Sequence, residues 1–178
     1  MRVCILGAGL SSLTLAKALV NQNIYVDLYA QKKINSLNKS RTIGISKSNI
    51  EFFNDAIINV DKIAWKLKKI EIFSDNLRKE KLINFENNKN VLFSIIKNEN
   101  LFDVLEKSLS KDKYFKKINS LKNYDFLDNY NLVINTDFTS PITKKYFSKK
   151  ILKKYNSFAF TTILKPVSYT HLTLPTSQ

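Results

Sequence analysis

The fold of this chain is decided by its opening stretch, Cys4-Ile-Leu-Gly-Ala-Gly-Leu-Ser-Ser-Leu-Thr-Leu-Ala16. The apolar residues before Gly7 predict a β-strand, and the alanine- and leucine-rich pattern after Gly9 predicts a helix that continues to Gln22. A second apolar run, Ile24 to Tyr29, predicts the next strand. Strand, glycine turn, helix and strand together form a βαβ unit, so we predict an α/β fold with a mostly parallel sheet.

The glycines of this stretch indicate a turn that binds a dinucleotide. Gly7 permits a sharp turn, and Gly9 lacks a Cβ, so the backbone can approach a diphosphate whose charge lies on free N–H groups at the helix start. Ser12 stands where the third glycine of the G-x-G-x-x-G fingerprint is usual, and it packs helix against strand less closely. We predict that Gly7, Gly9, Ser11 and Ser12 bind the diphosphate. The alternative is a βαβ unit that binds no nucleotide.

Residues in and after the second strand are candidates for binding the remaining parts of the nucleotide. An acidic residue there normally binds the ribose, but Ala30 occupies the position and Gln31 follows it. We interpret Asp27, which lies within the strand, as a side-facing polar residue. The amide of Gln31 is predicted to take over part of the ribose binding. Arg41 is a predicted contact for phosphate or flavin, with a solvated loop arginine as the alternative.

The middle of the chain predicts an insertion between the halves of the nucleotide domain. A helix is predicted over roughly 48–58, and two apolar runs at 69–73 and 81–85 predict an antiparallel hairpin. A strand at 91–96 and an amphipathic helix at 100–109 follow. We interpret Trp65, just before the hairpin, as a core residue.

A further buried strand is predicted from Tyr130 to Thr136, and it ends at Asp137. A carboxylate at the carboxyl end of a parallel strand lies at the edge where such sheets bind ligands, so Asp137 is a candidate cofactor-binding residue. The alternative is an aspartate that caps the following turn.

The composition is strongly basic, with 29 Lys and Arg against 15 Asp and Glu and a net charge of +14. Such a surplus can mark a protein that binds nucleic acid or an anionic membrane. Here the lysines are scattered among many Asn and Ile residues, which is typical of codon bias in an AT-rich genome, so we predict no nucleic-acid partner. The single Cys4 predicts a buried thiol in a reducing, cytoplasmic setting. No apolar run is long enough to span a bilayer, and we expect no targeting segment.

The end of the chain changes character at Pro166. Residues 166–178 contain neither Lys nor Asn, although both are frequent before them. This composition is typical of translated sequencing-adapter read-through. We therefore predict a partial domain over 1–165, with inserted strands at about 66–98, and a non-native tail over 166–178. The only histidine, His171, lies in that tail and is a poor catalytic candidate.

Four ordered blocks resemble the FAD-dependent aromatic hydroxylases of ubiquinone biosynthesis, the 2-polyprenyl-6-methoxyphenol hydroxylase type, and the resemblance covers residues 1 to about 165. The blocks are Gly7-Ala-Gly-Leu-Ser-Ser-Leu-Thr-Leu-Ala16, Ser40-Arg-Thr-Ile-Gly-Ile-Ser46, Ser94-Ile-Ile-Lys-Asn-Glu-Asn-Leu-Phe-Asp-Val-Leu105 and Leu132-Val-Ile-Asn-Thr-Asp137.

The resemblance implies a three-layer, Rossmann-like FAD-binding domain interrupted by an antiparallel sheet that covers the substrate. It implies that reduced flavin activates oxygen to hydroxylate a small aromatic substrate, a polyprenylated ubiquinone precursor, with NAD(P)H as electron donor. Because the cofactor carries the reactive group, we predict no catalytic triad and no metal site. Peripheral membrane association and oligomeric state stay open. The alternatives are another FAD- or NAD(P)-dependent oxidoreductase of this fold, or a basic module that binds nucleic acid or membranes.

The chain also departs from the family pattern. Ala30 replaces the acid that binds the ribose, and Asp137-Phe138 replaces an Asp-Gly motif. Thr143 or Lys144 stands where an arginine is expected. A later Gly-Asp motif that holds the flavin is absent, and family members are about twice as long. We therefore predict the N-terminal part of such an enzyme, truncated and inactive alone.

Overall fold

A computed structural model describes residues 1–30, 41–74, 81–86, 91–119, 125–137, 140–147, 149, 151 and 153–158. The predictions on Gln31 and on the tail at 166–178 lie outside these residues. In the described part of the chain, no helix combines the length and apolarity that a membrane crossing requires.

A four-stranded parallel sheet forms the centre of the fold. Its strands, with their place in the chain order, are β1 (Arg2–Leu6), β2 (Tyr25–Tyr29), β8 (Phe115–Ile118) and β9 (Leu132–Asn135). They lie in the order β8-β2-β1-β9, and all neighbours are parallel. The chain runs from β1 to one side of the sheet and returns to β9 on the other. The strand order therefore reverses beside β1, which opens a crevice at the carboxyl ends of β1 and β9.

Two helices cover one face of this sheet, α1 (Leu10–Asn21) and α3 (Asn98–Leu109). Alternate residues of β1 and β2 point at them, as the two-residue period of a strand requires. Asn23 adopts a left-handed φ of 59° where the chain leaves α1. The fully buried residues of these strands and helices are Val3, Ile5, Val26, Leu28, Leu13, Ala16, Leu101, Leu105 and Leu109.

The opposite face of the sheet packs on the segments around β9. Cys4, Leu6 and Tyr29 form a cluster with Ile142 of α4 (Pro141–Tyr146). The 3₁₀ segment Asp125–Asn129 adds its apolar side chains to the same cluster. Cys4 is fully buried, which confirms the prediction of a buried thiol.

Asp27 is the charged residue buried in this second face. The Arg2 guanidinium lies 2.8 Å from its Oδ2, and the Tyr130 hydroxyl donates to the same oxygen at 2.5 Å. Because a buried carboxylate is costly unless it is paired, these two partners account for its burial. Asp27 is thus a structural residue, as its position within the strand indicated.

The remaining strands form two antiparallel sheets. One has the order β3-β7-β4, and its strands are β3 (Thr42–Ser46), β4 (Ala64–Leu67) and β7 (Phe93–Lys97). The other is the two-stranded β5–β6 ribbon, formed by β5 (Lys69–Phe73) and β6 (Lys81–Glu86). The ribbon confirms the predicted hairpin. The helix predicted over 48–58 is α2 (Lys47–Phe52) followed by a π-helical segment, Phe53–Ile57.

The interpretation of Trp65 as a core residue is wrong. Trp65 lies on β4 with 52% of its surface exposed, and the Lys97 ammonium lies 5.7 Å from the centre of its ring. Trp65 is in register with Ile95, so it lies on the face of the sheet opposite to that of the buried Ser94 and Ile96, because alternate residues of a strand point to opposite faces.

Candidate dinucleotide-binding site

The glycine turn lies at the crevice between β1 and β9. Gly7 has φ +127°, a conformation that an L-residue with a side chain rarely adopts. Its N–H donates to the Tyr29 carbonyl at 2.9 Å. A Cβ on Gly7 would lie 2.2 Å from Thr136 Oγ1. Both the backbone angle and the close approach therefore require glycine at this position, whether or not a ligand is bound.

Gly9 differs from Gly7, because the described protein atoms do not require it. Its φ of −82° is ordinary for any residue, and a Cβ placed there would meet nothing within 4 Å. Gly9 is also the N-cap of α1, and no side chain caps the helix or places an acid in its first turn. The first turn of α1 thus starts without a side-chain cap, beside a residue whose added Cβ would meet no described atom within 4 Å. This arrangement fits a diphosphate.

Ser12 and Thr136 meet behind the turn. Their hydroxyl oxygens lie 2.6 Å apart, although the residues are separated by 124 positions. Thr136 Oγ1 also bonds the Leu6 carbonyl at 2.9 Å. Ser12 is buried, so its hydroxyl supports the turn from inside rather than facing a ligand. Ser11, in contrast, is exposed on the first turn of α1.

Asp137 lies in a hydrogen-bonded turn between β9 and α4. Its N–H donates to Asn135 Oδ1 at 3.1 Å, and its carbonyl accepts from Thr143 Oγ1 at 2.9 Å. Thr143 in turn accepts from Asn135 Nδ2 at 2.6 Å. The backbone of Asp137 is therefore held at the carboxyl edge of the sheet, next to Thr136 and the glycine turn.

Arg41 directly precedes β3. Its carbonyl accepts the Asn98 N–H at 3.0 Å, which ties it to the N-terminus of α3. Two residues further on, Ile43 lines an apolar groove of about 440 Å³ together with Leu10 and Ser11 of α1. Arg41 thus directly precedes a strand that adjoins the first turn of α1, and it is exposed.

Ala30 lies at the position expected for the ribose-binding acid. It is buried, and its N–H donates to the Ile118 carbonyl at 3.0 Å. A methyl side chain offers no acceptor to a ribose hydroxyl. Whether Gln31 supplies one stays a prediction, because that residue lies outside the described part of the chain.

Two titratable groups near the sheet, the Cys4 thiol and the Tyr130 phenol, have raised pKa values. Burial, and secondarily the Asp27 carboxylate, raise the pKa of the Cys4 thiol to about 12. Burial and the hydrogen bond to Asp27 raise the pKa of the Tyr130 phenol. Both groups therefore stay protonated at neutral pH, and neither is a nucleophile or a base.

Thr136 was missed by reasoning on the sequence. Its hydrogen bonds connect the glycine turn, the end of β1 and the end of β9. In the sequence, Thr136 is recognisable only as a hydroxyl residue next to Asp137 at the end of a predicted strand. The sequence places Gly7, Gly9, Ser11 and Ser12 on one turn, and the fold adds Thr136 and Asp137 to that turn.

Known proteins share this fold. Neither the models of known protein families nor the curated proteins contain a match. Among solved structures, PqsL from Pseudomonas aeruginosa, a probable FAD-dependent monooxygenase, matches with 12% identity, a TM-score of 0.63, and coverage of 86% of this chain and 47% of PqsL. p-Nitrophenol 4-monooxygenase PnpA from Pseudomonas putida matches with 13% identity and a TM-score of 0.55, over 65% of this chain and 31% of PnpA.

A third match is the flavin-dependent monooxygenase PieE in complex with FAD and substrate, with 15% identity and a TM-score of 0.52 over 66% of this chain and 23% of PieE. This chain therefore has the fold of the FAD-dependent monooxygenases and spans less than half the length of these structures.

Proposed function

We propose that this chain forms the FAD-binding part of a flavoprotein monooxygenase that hydroxylates an aromatic ring. The observation that carries the proposal is the contrast between the two glycines. The protein itself requires Gly7, whereas the described atoms leave open space at Gly9. Gly9 has no side chain and stands at the N-terminus of a helix that no side chain caps. Such a position suits a bound anionic ligand. The fold shared with FAD-dependent monooxygenases supports FAD as that ligand.

The residues have distinct roles in this proposal. The N–H groups at the start of α1 bind the diphosphate, with Gly9 and Ser11 at the contact and Ser12 behind it. Arg41, just before β3, supplies positive charge, and Asp137 lies beside the glycine turn at the carboxyl edge of the sheet. When bound, the flavin supplies the redox chemistry with oxygen, with NAD(P)H as electron donor. The chain's own task is to hold the cofactor and to exclude water from it.

We propose a polyprenylated phenol of ubiquinone biosynthesis as the substrate of the whole protein. The support is the order of the four sequence blocks, and this chain alone is proposed to be inactive. A different flavin- or nicotinamide-dependent reaction is the second candidate, because the fold and the glycine turn do not by themselves fix the reaction. Oxygen-dependent NAD(P)H consumption by the whole protein, measured with phenols against other substrates, distinguishes the two.

Small molecules are the proposed partners, rather than nucleic acid. Several lysines lie beside carboxylates: the Lys66 ammonium is 3.1 Å from the Asp61 carboxylate, and the Lys69 ammonium is 3.1 Å from the Glu71 carboxylate. Such pairs spread the positive charge over the surface instead of forming one basic face. Weak nucleic-acid binding with a shallow salt dependence is the expected result.

The test is a fluorescence titration of FAD into the 178-residue chain and its Gly9→Ala variant. The added methyl clashes with no described atom, so we expect an unchanged melting temperature. It occupies the space of the diphosphate, so we expect FAD affinity to fall roughly tenfold or more, as for the loss of one to two hydrogen bonds to a charged group. Equal affinity of Gly9→Ala and wild type, or no FAD binding by wild type, would contradict the proposal.

A further inference from the structure

We propose that Ser12 and Thr136 are a positioning pair whose hydroxyl bond holds residues 7–9 in the shape that binds the diphosphate. This inference rests on the proposed function, because it assigns a role toward the same ligand. Neither residue touches that ligand in our proposal. Each acts through the backbone of the turn.

The hydrogen bonds of the pair have one consistent direction. Thr136 Oγ1 donates its proton to the Leu6 carbonyl at 2.9 Å. Since a hydroxyl has a single proton, the 2.6 Å contact must be filled by the Ser12 hydroxyl donating to Thr136. The Leu6 carbonyl also accepts the Thr136 N–H at 2.9 Å, which uses both of its lone pairs. These hydrogen bonds thus connect Ser12 of α1, through Thr136 just after β9, to Leu6, the last residue of β1.

The same hydrogen bonds fix the chain on both sides of the glycine turn. Leu6 precedes the turn and Ser12 follows it, three residues after the N-cap Gly9, so the fixed points are only six positions apart in sequence. Between them, the backbone of Gly7 passes so close to the pair that a Cβ would lie 2.2 Å from Thr136 Oγ1 and 3.0 Å from Ser12 Oγ. The turn therefore has little freedom while the hydroxyl bond is intact.

The pair also accounts for the serine in place of the third glycine of the fingerprint. A glycine there lets the helix pack closely on the strand. Ser12 adds a Cβ and a hydroxyl at a buried position, and a buried hydroxyl without a partner would be unfavourable. Thr136 supplies that partner. Thr136 therefore compensates for the serine, and the turn is held by a side-chain hydrogen bond rather than by close packing alone.

A turn held before binding needs no ordering when the ligand arrives, and this raises affinity. The variants that test the pair in the 178-residue chain are Ser12→Ala, Thr136→Val, their combination, and Thr136→Ser, which keeps the hydroxyl. Ser94→Ala is the matched control, because it removes the hydroxyl of another buried serine, on β7, away from the turn. FAD and ADP affinities, which both report on a diphosphate, are measured beside the melting temperature of each ligand-free variant.

We expect Ser12→Ala and Thr136→Val each to weaken FAD and ADP binding by about three- to tenfold, the loss of one hydrogen bond. The double variant should bind no more weakly than the weaker single variant, because both changes break the same bond. Thr136→Ser should recover most of the affinity, and Ser94→Ala should bind as wild type does.

Equal binding by Thr136→Val and Thr136→Ser, or additive effects of the two single changes, would overturn the positioning role while leaving FAD binding in place. If wild type bound neither FAD nor ADP, the proposed function would fail, and this role with it. A merely structural pair would lower the melting temperatures and leave the affinities of the folded variants unchanged.

Discussion

The parallel sheet and the β5–β6 ribbon use similar apolar side chains and bury them very differently. Val3, Cys4 and Ile5 of β1 have no exposed surface, whereas every residue of β6 is exposed. The ribbon still has an ordered pattern. Ile72 pairs with Ile83 and Ile70 with Phe85, while Lys69 pairs with Glu86 and Glu71 with Asn84.

An apolar strand is therefore buried by the elements that pack on it and not by its own sequence. β1 lies under α1 on one face and under the cluster around Ile142 on the other. Ile70, Ile72, Ile83 and Phe85 share one face of the ribbon, and every residue of β6 is exposed on both faces. Unfolding free energy should therefore depend strongly on the sheet and weakly on the ribbon.

The largest expected effect is that of Gly7→Ala. The new Cβ would lie 2.2 Å from Thr136 Oγ1 at a φ of +127°, and the combined overpacking and backbone strain should lower the free energy of unfolding by roughly 3 kcal/mol or more. Urea unfolding measures the loss. The matched control is Gly9→Ala, which should unfold as wild type does, and equal stability of the two variants would refute this account of the turn.

A matched pair of isoleucines compares the two regions directly. Ile5→Ala removes a side chain with no exposed surface, and we expect a loss of about 2–5 kcal/mol in unfolding free energy. Ile83→Ala truncates the same residue type on β6 at 44% exposure, and we expect a loss below about 1 kcal/mol. Both are measured by denaturant unfolding. A ribbon variant as destabilised as Ile5→Ala would show that the ribbon is covered.

The smallest expected effect on stability is at Cys4, where the measured quantity is the reactivity of the thiol. Burial raises the pKa of this thiol to about 12, well above its ordinary value, so the native thiol should not react with a thiol reagent at pH 8. Ile83→Cys in a Cys4→Ala background is the exposed counterpart and should react at the rate of a free thiol. Fast labelling of native Cys4 would show that the sheet opens to solvent.

The same shift has a consequence for alkaline stability. Above pH 9 the unfolded thiol loses its proton while the folded thiol keeps it, so the unfolded state binds fewer protons and stability falls as pH rises from 9 to 12. The slope is at most about 1.4 kcal/mol per pH unit. The Cys4→Ala variant should lose this contribution, and an unchanged slope would contradict it.

The elements that were predictable have strong local signals. The glycine turn, α1, the hairpin and α3 follow from glycine positions and from apolar periods of 3.6 or 2 residues. The strand β8 was not predicted, because Phe115-Lys-Lys-Ile118 has two lysines at its centre and becomes a strand by pairing with β2. The strand β3 also escaped prediction, since its five residues include Gly44, a weak strand former.

The sequence by itself determined the turn chemistry of this protein. Gly7, Gly9 and the start of α1 are specified within a dozen residues, because backbone angles and helix N-termini are local properties. Only the tertiary structure decided what stands behind that turn. It brings Thr136 across 124 positions to Ser12, because the reversal of strand order places β9 beside β1. Hydrogen bonds between side chains of different elements depend on that placement, and no local pattern encodes it.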